Sequence, residues 1–279
     1  MDETFTLAHN AFSHLTWAEF SDRFHLEEMS EFASSQNRQG ASRIHKAPAG
    51  FQPPTSIVDW EANGAVTPVK DQGDCGSCWA FSTTGALEGA YAIANNKSVA
   101  DWPGLSTQQV VSCDTNDSGC NGGWPTSGFN WTMLNGGLCA SQDFPYVSGD
   151  GIDAPCSGSS GCAIVSSSAP RAFAIVDQTD EALTSAVTQQ PVSAGIMTSP
   201  LLMFYNAGVM TRRCGPAVNH GVLVVGYGNW TDGTPYWKVK NSFGKWWGME
   251  GYLLLKKGEN PHRIGGECGI SLAASYPIM

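Results

Sequence analysis

The sequence predicts an α+β protein whose two layers face each other across a cleft. Two observations carry this. Helix-like apolar spacings dominate the first half of the main region and strand-like runs the second, and segregated rather than alternating elements favour α+β order. At 42% hydrophobic content, 279 residues can bury one large core or two modest ones. Helices are predicted over 78–94, 105–112 and 180–190. Strands are predicted over 171–177, 192–197, 221–227, 236–240 and 251–255, which are rich in Val, Ile, Tyr and Leu between Gly or Asn punctuation. We find no internal repeat and no low-complexity tract.

Residues 47–54, Ala-Pro-Ala-Gly-Phe-Gln-Pro-Pro, read as an exposed linker and a domain boundary. Ahead of it, Asn10, Phe12, Leu15, Glu19, Phe20 and Phe24 predict one short amphipathic helix with little core of its own.

Acidic side chains outnumber basic ones 25 to 15, and no Lys/Arg cluster could neutralise a row of phosphates. Nucleic acid and anionic membrane are therefore poor partners. No stretch approaches the ~18 apolar residues of a spanning helix. The acidic start Met1-Asp2-Glu3 is unlike a signal peptide's basic beginning.

Nine cysteines, at 75, 78, 113, 120, 139, 156, 162, 214 and 268, point instead to disulfides and an oxidising compartment. Sequons at Asn96, Asn116, Asn130 and Asn229 agree with that route. The expectation is a secreted or lysosomal/vacuolar protein whose natural start lies upstream of Met1. Nine is odd, so at least one cysteine stays outside any set of intramolecular bridges.

Acyl transfer at mild pH needs a nucleophile and a nearby base, most often histidine. Four of six histidines, His9, His14, His25 and His45, precede the linker. His262 sits in the polar turn 258–263, where a solvated surface role is expected. His220 opens the apolar run Gly221-Val222-Leu223-Val224-Val225, beside a glycine that permits close approach. Taken alone, it is equally well read as a satisfied core histidine.

The candidate nucleophile, Cys78, lies in Gln72-Gly73-Asp74-Cys75-Gly76-Ser77-Cys78-Trp79-Ala80-Phe81, at the start of a predicted helix. Unpaired amides and the positive end of the helix dipole favour a thiolate there. Two other readings compete. Cys75-x-x-Cys78 could be a redox pair, but a polar loop rather than a strand leads into it. It could be half a zinc site, but no second half with suitable spacing is found.

These residues resemble the papain-like cysteine peptidases, in particular their cathepsin L-like group, over about 54–279. The block from Gln72 to Phe81 is similar to that family's nucleophile block, and His220 follows Cys78 by 142 residues, within a family range of about 130 to 150. Cys113-Asp114 with Cys120-Asn121-Gly122-Gly123 resembles the family's substrate-binding wall. Asn241-Ser242-Phe243-Gly244 with Trp247-Gly248 resembles its third catalytic block.

The resemblance implies a two-lobed fold, with a helical lobe over about 60–165 and a β-barrel-like lobe over about 166–279. It implies a cysteine endopeptidase with a Cys78 thiolate, a His220 imidazolium, Asn241 orienting the histidine, and Gln72 with the Cys78 N–H as oxyanion hole. It also implies bridges Cys75–Cys120, Cys113–Cys156 and Cys214–Cys268, leaving Cys139–Cys162 as the remaining pair. Gly122, Gly123, Trp124, Pro125, Gly195, Val218, Asn219, Ala273 and Trp247 match the family's substrate-binding positions. The pocket residues among them lack charge, so an apolar side chain is expected before the scissile residue.

No metal or cofactor is implied, and the chain is expected to act as a monomer on protein or peptide substrates, with cystatin-type inhibitors as further partners. Asn10-x-Phe12-x-x-Leu15-Thr16-x-x-Glu19-Phe20 resembles the end of an inhibitory propeptide, so 1–52 is expected to be a partial propeptide with linker and 53–279 the peptidase domain. Three departures stand out: His14 for the family's aspartate, Phe243 for tryptophan and Met249 for a common acidic residue. Phe243 keeps a ring but loses area and an indole N–H, so weakened activity is expected. The rival from another class is a weakly active or inactive binding protein that keeps the protease fold.

Overall fold

The computed structural model describes residues 4–26, 41–54, 56–156, 161–211, 214–215, 217–258 and 265–279. Six α-helices and ten strands lie within them. The first are β1 (Phe5–Leu7), α1 (Trp17–Arg23), β2 (Arg43–His45) and β3 (Val58–Asp59). Next come three helices, α2 (Cys78–Ala94), α3 (Thr107–Cys113) and α4 (Pro125–Leu134). The β-rich part holds β4 (Ala172–Val176), α5 (Asp180–Val187), β5 (Val192–Ile196), α6 (Pro200–Met203) and β6 (Tyr205–Met210). It closes with β7 (His220–Asn229), β8 (Pro235–Lys240), β9 (Tyr252–Lys256) and β10 (Ser275–Ile278). Helical first and β-rich later is the predicted order.

The strands form one sheet in the order β1-β6-β9-β8-β7-β5-β10-β4-β2, with β3 also on β7. β7 pairs antiparallel with β5 and β8, and packs against α2 and α5. That cover explains why 222–225 is a continuous apolar run rather than an alternating one.

Two large cores result. One fills the helical lobe around Trp79, Leu87, Leu105, Val110, Phe129 and Leu138. The other fills the β-rich lobe around Ile196, Leu202, Tyr205, Val224, Trp237 and Leu253.

α2 lies between these cores and is buried nearly all round, not along the one face its apolar spacing suggests. Its polar residues are satisfied locally: Thr83 Oγ1 donates to the Trp79 carbonyl at 2.8 Å and Thr84 Oγ1 to the Ala80 carbonyl at 3.0 Å. Ser82 Oγ donates to the Val222 carbonyl at 2.6 Å, tying the helix to β7.

The N-terminal segment forms the one short helix expected of it and, in addition, two strands and contacts with the core of the β-rich lobe. Phe5, Phe12, Phe20, Phe24 and Leu26 are buried and belong to the core of the β-rich lobe. Phe20 packs edge-on against Phe12 at 5.0 Å and against Phe243 at 5.8 Å. α1 opens with the Thr16/Glu19 capping box. Strand β1 pairs with β6 and β2 with β4, so this segment covers both edges of the sheet. Its aromatic residues are too few to form a core among themselves, and they join that of the β-rich lobe.

Residues 47–54 carry no helix or strand, as predicted. Of the 258–263 turn with His262, only Gly258 is among the described residues. No helix among the described residues is long and apolar enough to cross a membrane.

Because Phe20 is wholly buried in the core of the β-rich lobe, Phe20→Ala should destabilise the intact chain by about 3–5 kcal/mol. A denaturant titration of the intact chain is expected to show a lower midpoint. Ala18, on the same helix, is exposed. Ala18→Ser is therefore the control, with a change within about 0.5 kcal/mol.

Candidate active site

The loop before α2 is fixed by three contacts. Cys75 is bridged to Cys120, the Gly76 N–H donates to the Cys120 carbonyl at 2.8 Å, and Gln72 Nε2 donates to the Cys75 carbonyl at 2.8 Å. Ser77, the N-cap residue of α2, makes no side-chain cap; its hydroxyl instead lies 2.8 Å from the Tyr146 hydroxyl. Cys78 is thereby the first helical residue, at the positive end of the helix dipole.

β7 delivers His220 to the same point. A Cβ at Gly221 would stand 3.1 Å from the carbonyl carbon and oxygen of Cys78. The absence of that atom lets α2 and β7 touch, and the Gly221 N–H donates to Cys78 Sγ at 3.3 Å.

His220 is oriented from behind. Its Nε2 lies 2.8 Å from Asn241 Oδ1, and the same oxygen accepts the Ser242 N–H at 2.8 Å. An oxygen held as acceptor by one N–H presents itself as acceptor to the other, so Nε2 carries the proton and Nδ1 keeps its lone pair. Nδ1 is buried without a hydrogen-bond partner. The Phe243 ring stacks on the imidazole, with centroids 4.8 Å apart and planes 29° from parallel.

Burial governs the charge state of the site. It pushes the Cys78 thiol up to about 11, against the Gly221, Trp79 and Cys78 backbone N–H groups that favour thiolate. It also pulls the His220 imidazole down to about 4, against the hydrogen bond to Asn241. Each charge alone is disfavoured, so the thiolate expected at this helix start is not the favoured form of the buried sulfur.

Gln72 is fully buried. One N–H of its side-chain amide is used by Cys75, and its Oε1 accepts the Ser242 hydroxyl at 2.5 Å, which sets which end of the amide bears hydrogens. Tyr146 donates its hydroxyl to the Gln72 carbonyl at 2.8 Å. Tyr146 and Ser242 thus fix Gln72. Tyr146 carries no signal in the sequence, whereas Ser242 stands in the Asn241-Ser242-Phe243-Gly244 block with no role assigned to it there.

An apolar pocket opens beside Cys78 and His220, lined by Trp124, Pro125, Gly195, Val218 and Ala273 among others. Trp124, Val218 and Ala273 form a small cluster of their own. At Gly195 a methyl group would meet Val218 Cγ1 at 2.3 Å, so only glycine keeps that wall open. Gly122 has φ 111° and open space where a side chain would be, and Gly123 also borders the pocket.

Two predicted substrate-binding side chains point elsewhere. Asn219 Oδ1 accepts the N–H and hydroxyl of Thr198, both at 2.8 Å, because the entry to β7 needs that carbonyl to tie it to the end of β5. Trp247 has no exposed area, packs beneath Phe243 with centroids 5.5 Å apart, and donates its indole N–H to the Met203 carbonyl.

Four disulfides are present, Cys75–Cys120, Cys113–Cys156, Cys139–Cys162 and Cys214–Cys268, and Cys78 is the free cysteine. With Cys75 bridged to Cys120, Cys75-x-x-Cys78 is neither a redox pair nor half a zinc site. Among the described residues the one grouping with metal-ligand proximity is Cys214, Glu267 and Cys268, and its two sulfurs are bonded to each other.

The family model described as papain family cysteine protease matches residues 54–278. The senescence-specific cysteine protease SAG12 of Arabidopsis thaliana is 39% identical over 285 residues, an alignment covering 99% of this chain and 77% of that protein. Vignain of Ricinus communis is 40% identical over 292 residues, covering 100% of this chain and 75% of that one. Among solved structures, the proform of Amb a 11, a cysteine protease and ragweed pollen allergen, superposes with a TM-score of 0.85 at 36% identity, covering 100% of this chain and 81% of that one. Digestive procathepsin L 3 of the Tenebrio molitor larval midgut gives 0.80 at 31% identity, covering 100% and 84%.

In the intact chain, alkylation of Cys78 by iodoacetamide is expected to speed up about tenfold per pH unit between pH 7 and 9, since only the thiolate reacts and burial holds the thiol to about 11. A rate already level across that range would mean that the ion pair exists in the intact chain.

Proposed function

The chain belongs to the papain family of cysteine proteases and is a cysteine endopeptidase, and we propose that Cys78 is its nucleophile, His220 its general base and acid, Asn241 the residue that orients His220, and Gln72 part of its oxyanion hole. The observation that carries this assignment is the single-sided engagement of His220. Nε2 is held by Asn241, while Nδ1 stays unpartnered in a pocket that Cys78 also lines.

In the proposed cycle the Sγ proton passes to Nδ1, and the two charges that burial disfavours singly now attract each other at short range. The thiolate attacks the substrate carbonyl. The resulting oxyanion is met by the second side-chain N–H of Gln72 and the backbone N–H of Cys78. His220 then returns the proton to the leaving amine, and a thioester remains on Cys78. Water, deprotonated by His220, attacks the thioester, and collapse of that adduct releases the carboxylic acid and restores the thiol.

Apolar side chains suit the pocket of Trp124, Pro125, Gly195, Val218 and Ala273, which offers no carboxylate to pair a buried cation. Leu or Phe before the scissile residue is therefore the preferred substrate feature. Gly122 and Gly123 would hold the substrate backbone extended, because backbone hydrogen bonds are available to any sequence.

We further assign residues 1–52 as partial propeptide and linker, with removal near 52–56. Gln52, Pro53, Pro54 and Ser56 are exposed, which supports access for cleavage there. A secretory or lysosomal/vacuolar route is supported by the four disulfides. Of the four sequons, Asn96 and Asn229 are the proposed glycan sites. Asn229 is exposed and Asn96 lies in a turn after α2, whereas Thr132 of the Asn130 sequon is buried and bonded to the Gly128 carbonyl. Once opened, the cleft would admit a cystatin-type inhibitor to a monomeric enzyme.

On processed protein, a thiol-directed peptidyl epoxide bearing Leu should label Cys78 once, with matching loss of peptidase activity, and Cys78→Ala should abolish both. Absence of label on folded, processed protein would favour the inactive binding protein. Gln72→Ala should lower kcat by about 100-fold or more with little change in KM.

Processing should run faster at pH 5 than at pH 7. His220 is held near 4 when buried and rises toward its ordinary 6.5 when uncovered. The closed state therefore keeps its full advantage above pH 6.5 and loses it as pH falls toward 4. Equal processing rates at the two pH values, followed by gel electrophoresis, would remove this account.

A further inference from the structure

A buried and a half-buried carboxyl group, Asp114 and Asp117, lie behind the cleft wall, outside the catalytic residues. Asp114 ends α3 and is 3% exposed. Its Oδ1 accepts the Asn116 N–H at 3.0 Å and the Asn116 amide at 3.2 Å. Asp117 Oδ1 accepts the Trp124 N–H at 2.9 Å. Oδ2 of each is buried without a hydrogen-bond donor, and each carboxyl group acts on the titration of the other.

Two neighbouring carboxylates whose outer oxygens lack water and donors resist ionising together, and one proton held between them would satisfy both orphaned oxygens. We propose that Asp114 and Asp117 share a proton and that this shared proton positions the Gly122–Gly123–Trp124 stretch of the cleft wall. The proposal rests on the reading of that stretch as substrate-binding.

The linkage to the wall is short. Asp117 holds the Trp124 backbone, and it packs so closely on Gly123 that a methyl group there would lie 2.7 Å from Asp117 Cβ. Losing the shared proton sets two charges face to face. Asp114 is anchored by the end of α3 and by Asn116, so Asp117 is the partner free to move, and Gly123 and Trp124 move with it.

The surroundings do little to relieve the pair. Asn116 on the connecting loop and Ser127 on α4 are neutral, and the charge acting on Asp117 is that of Asp114. Asp153, on the neighbouring turn, accepts the Cys120 N–H at 2.7 Å. Burial first, and the Asp114 charge with it, raises Asp117 to about 7, in spite of the Ser127 and Trp124 hydrogen bonds. Asp114 is also raised, mainly by burial. For a raised carboxyl the stabilising effect is complete below the ordinary range near 4 and is lost as pH climbs through about 7.

Asp117→Asn keeps an acceptor for Trp124 and offers Asp114 a permanent N–H, mimicking the protonated pair. On processed enzyme and a Leu-containing peptide substrate, wild-type KM is expected to rise about fivefold or more between pH 5.5 and 8 relative to Asp117→Asn, with kcat of the two enzymes changing in parallel. Asp117→Ala should raise KM at every pH, and Asp117→Asn should restore it. Parallel KM profiles for wild type and Asp117→Asn would overturn the proposal.

A second arm needs no activity. On the intact chain carrying Cys78→Ala, the melting temperature should fall between pH 5 and 8 relative to the same protein with Asp117→Asn added, and superimposable profiles would also overturn the proposal. If processed wild type hydrolyses no peptide, the substrate-binding reading fails, and this melting comparison still decides whether the proton is shared.

Discussion

The contact of α2 with β7 at Gly221 is the constraint on which the rest depends. A helix N-terminus and a strand start can meet closely only where one of them lacks a side chain, and a Cβ at position 221 would press on the Cys78 carbonyl and the Trp79 nitrogen at 3.1 Å. From that contact the sulfur receives its one neighbouring strand N–H, and His220 is brought to the sulfur without any loop reaching across. Further along, the same helix approaches the sheet again at Gly85, beside Leu223, and at Gly89, beside Pro191. Three glycines on one interface let the two lobes share a helix instead of merely abutting.

Sharing a helix forces polar groups into the dry interior, and they are satisfied across the lobes. Glu88 accepts from Thr67 at 2.5 Å, from Lys70 at 2.8 Å and from the Leu105 N–H at 2.8 Å. Lys240, next to Asn241, donates to the Thr67 carbonyl at 2.7 Å, and burial lowers it to about 7. Removing one member would leave a buried donor or acceptor unpaired, which costs more than the bond itself contributes. The residue that orients His220 is therefore carried by a strand tied to the helical lobe.

The fold is legible in the sequence to the extent that period and punctuation report it. The predicted α2 has the observed ends, and β5, β7 and β8 agree to within one or two residues, because apolar runs between glycines mark buried strands. α4 escapes such a reading, since Pro125-Thr126-Ser127-Gly128 looks like a turn, while its proline sits at the first helical turn where no N–H is needed. β10 escapes it because it is short and holds a proline, and β6 because Asn206, Ala207 and Gly208 leave it no apolar run. In the candidate site, the residues with distinctive chemistry can be named from sequence. Tyr146 and the pair Asp114 and Asp117 cannot, because their roles come from burial and from partners that only the folded chain brings near.

The aromatic surface around Phe243 joins closure to chemistry. One face of its ring stacks on His220. Its remaining ring contacts go to Trp247 beneath and to Phe12, Phe20 and Phe24 of the N-terminal segment, with Phe24 nearest at 4.7 Å. Arg23 of that segment also pairs with Asp74, two residues from Gln72. Apolar contacts on its outer side hold Phe243 against His220, whose burial disfavours the imidazolium. On the proposed removal of residues 1–52 the ring would still stack on His220 from that side. A phenylalanine ring here offers less area than a tryptophan would, both to the N-terminal segment and to His220, so one side chain sets how firmly the two are joined.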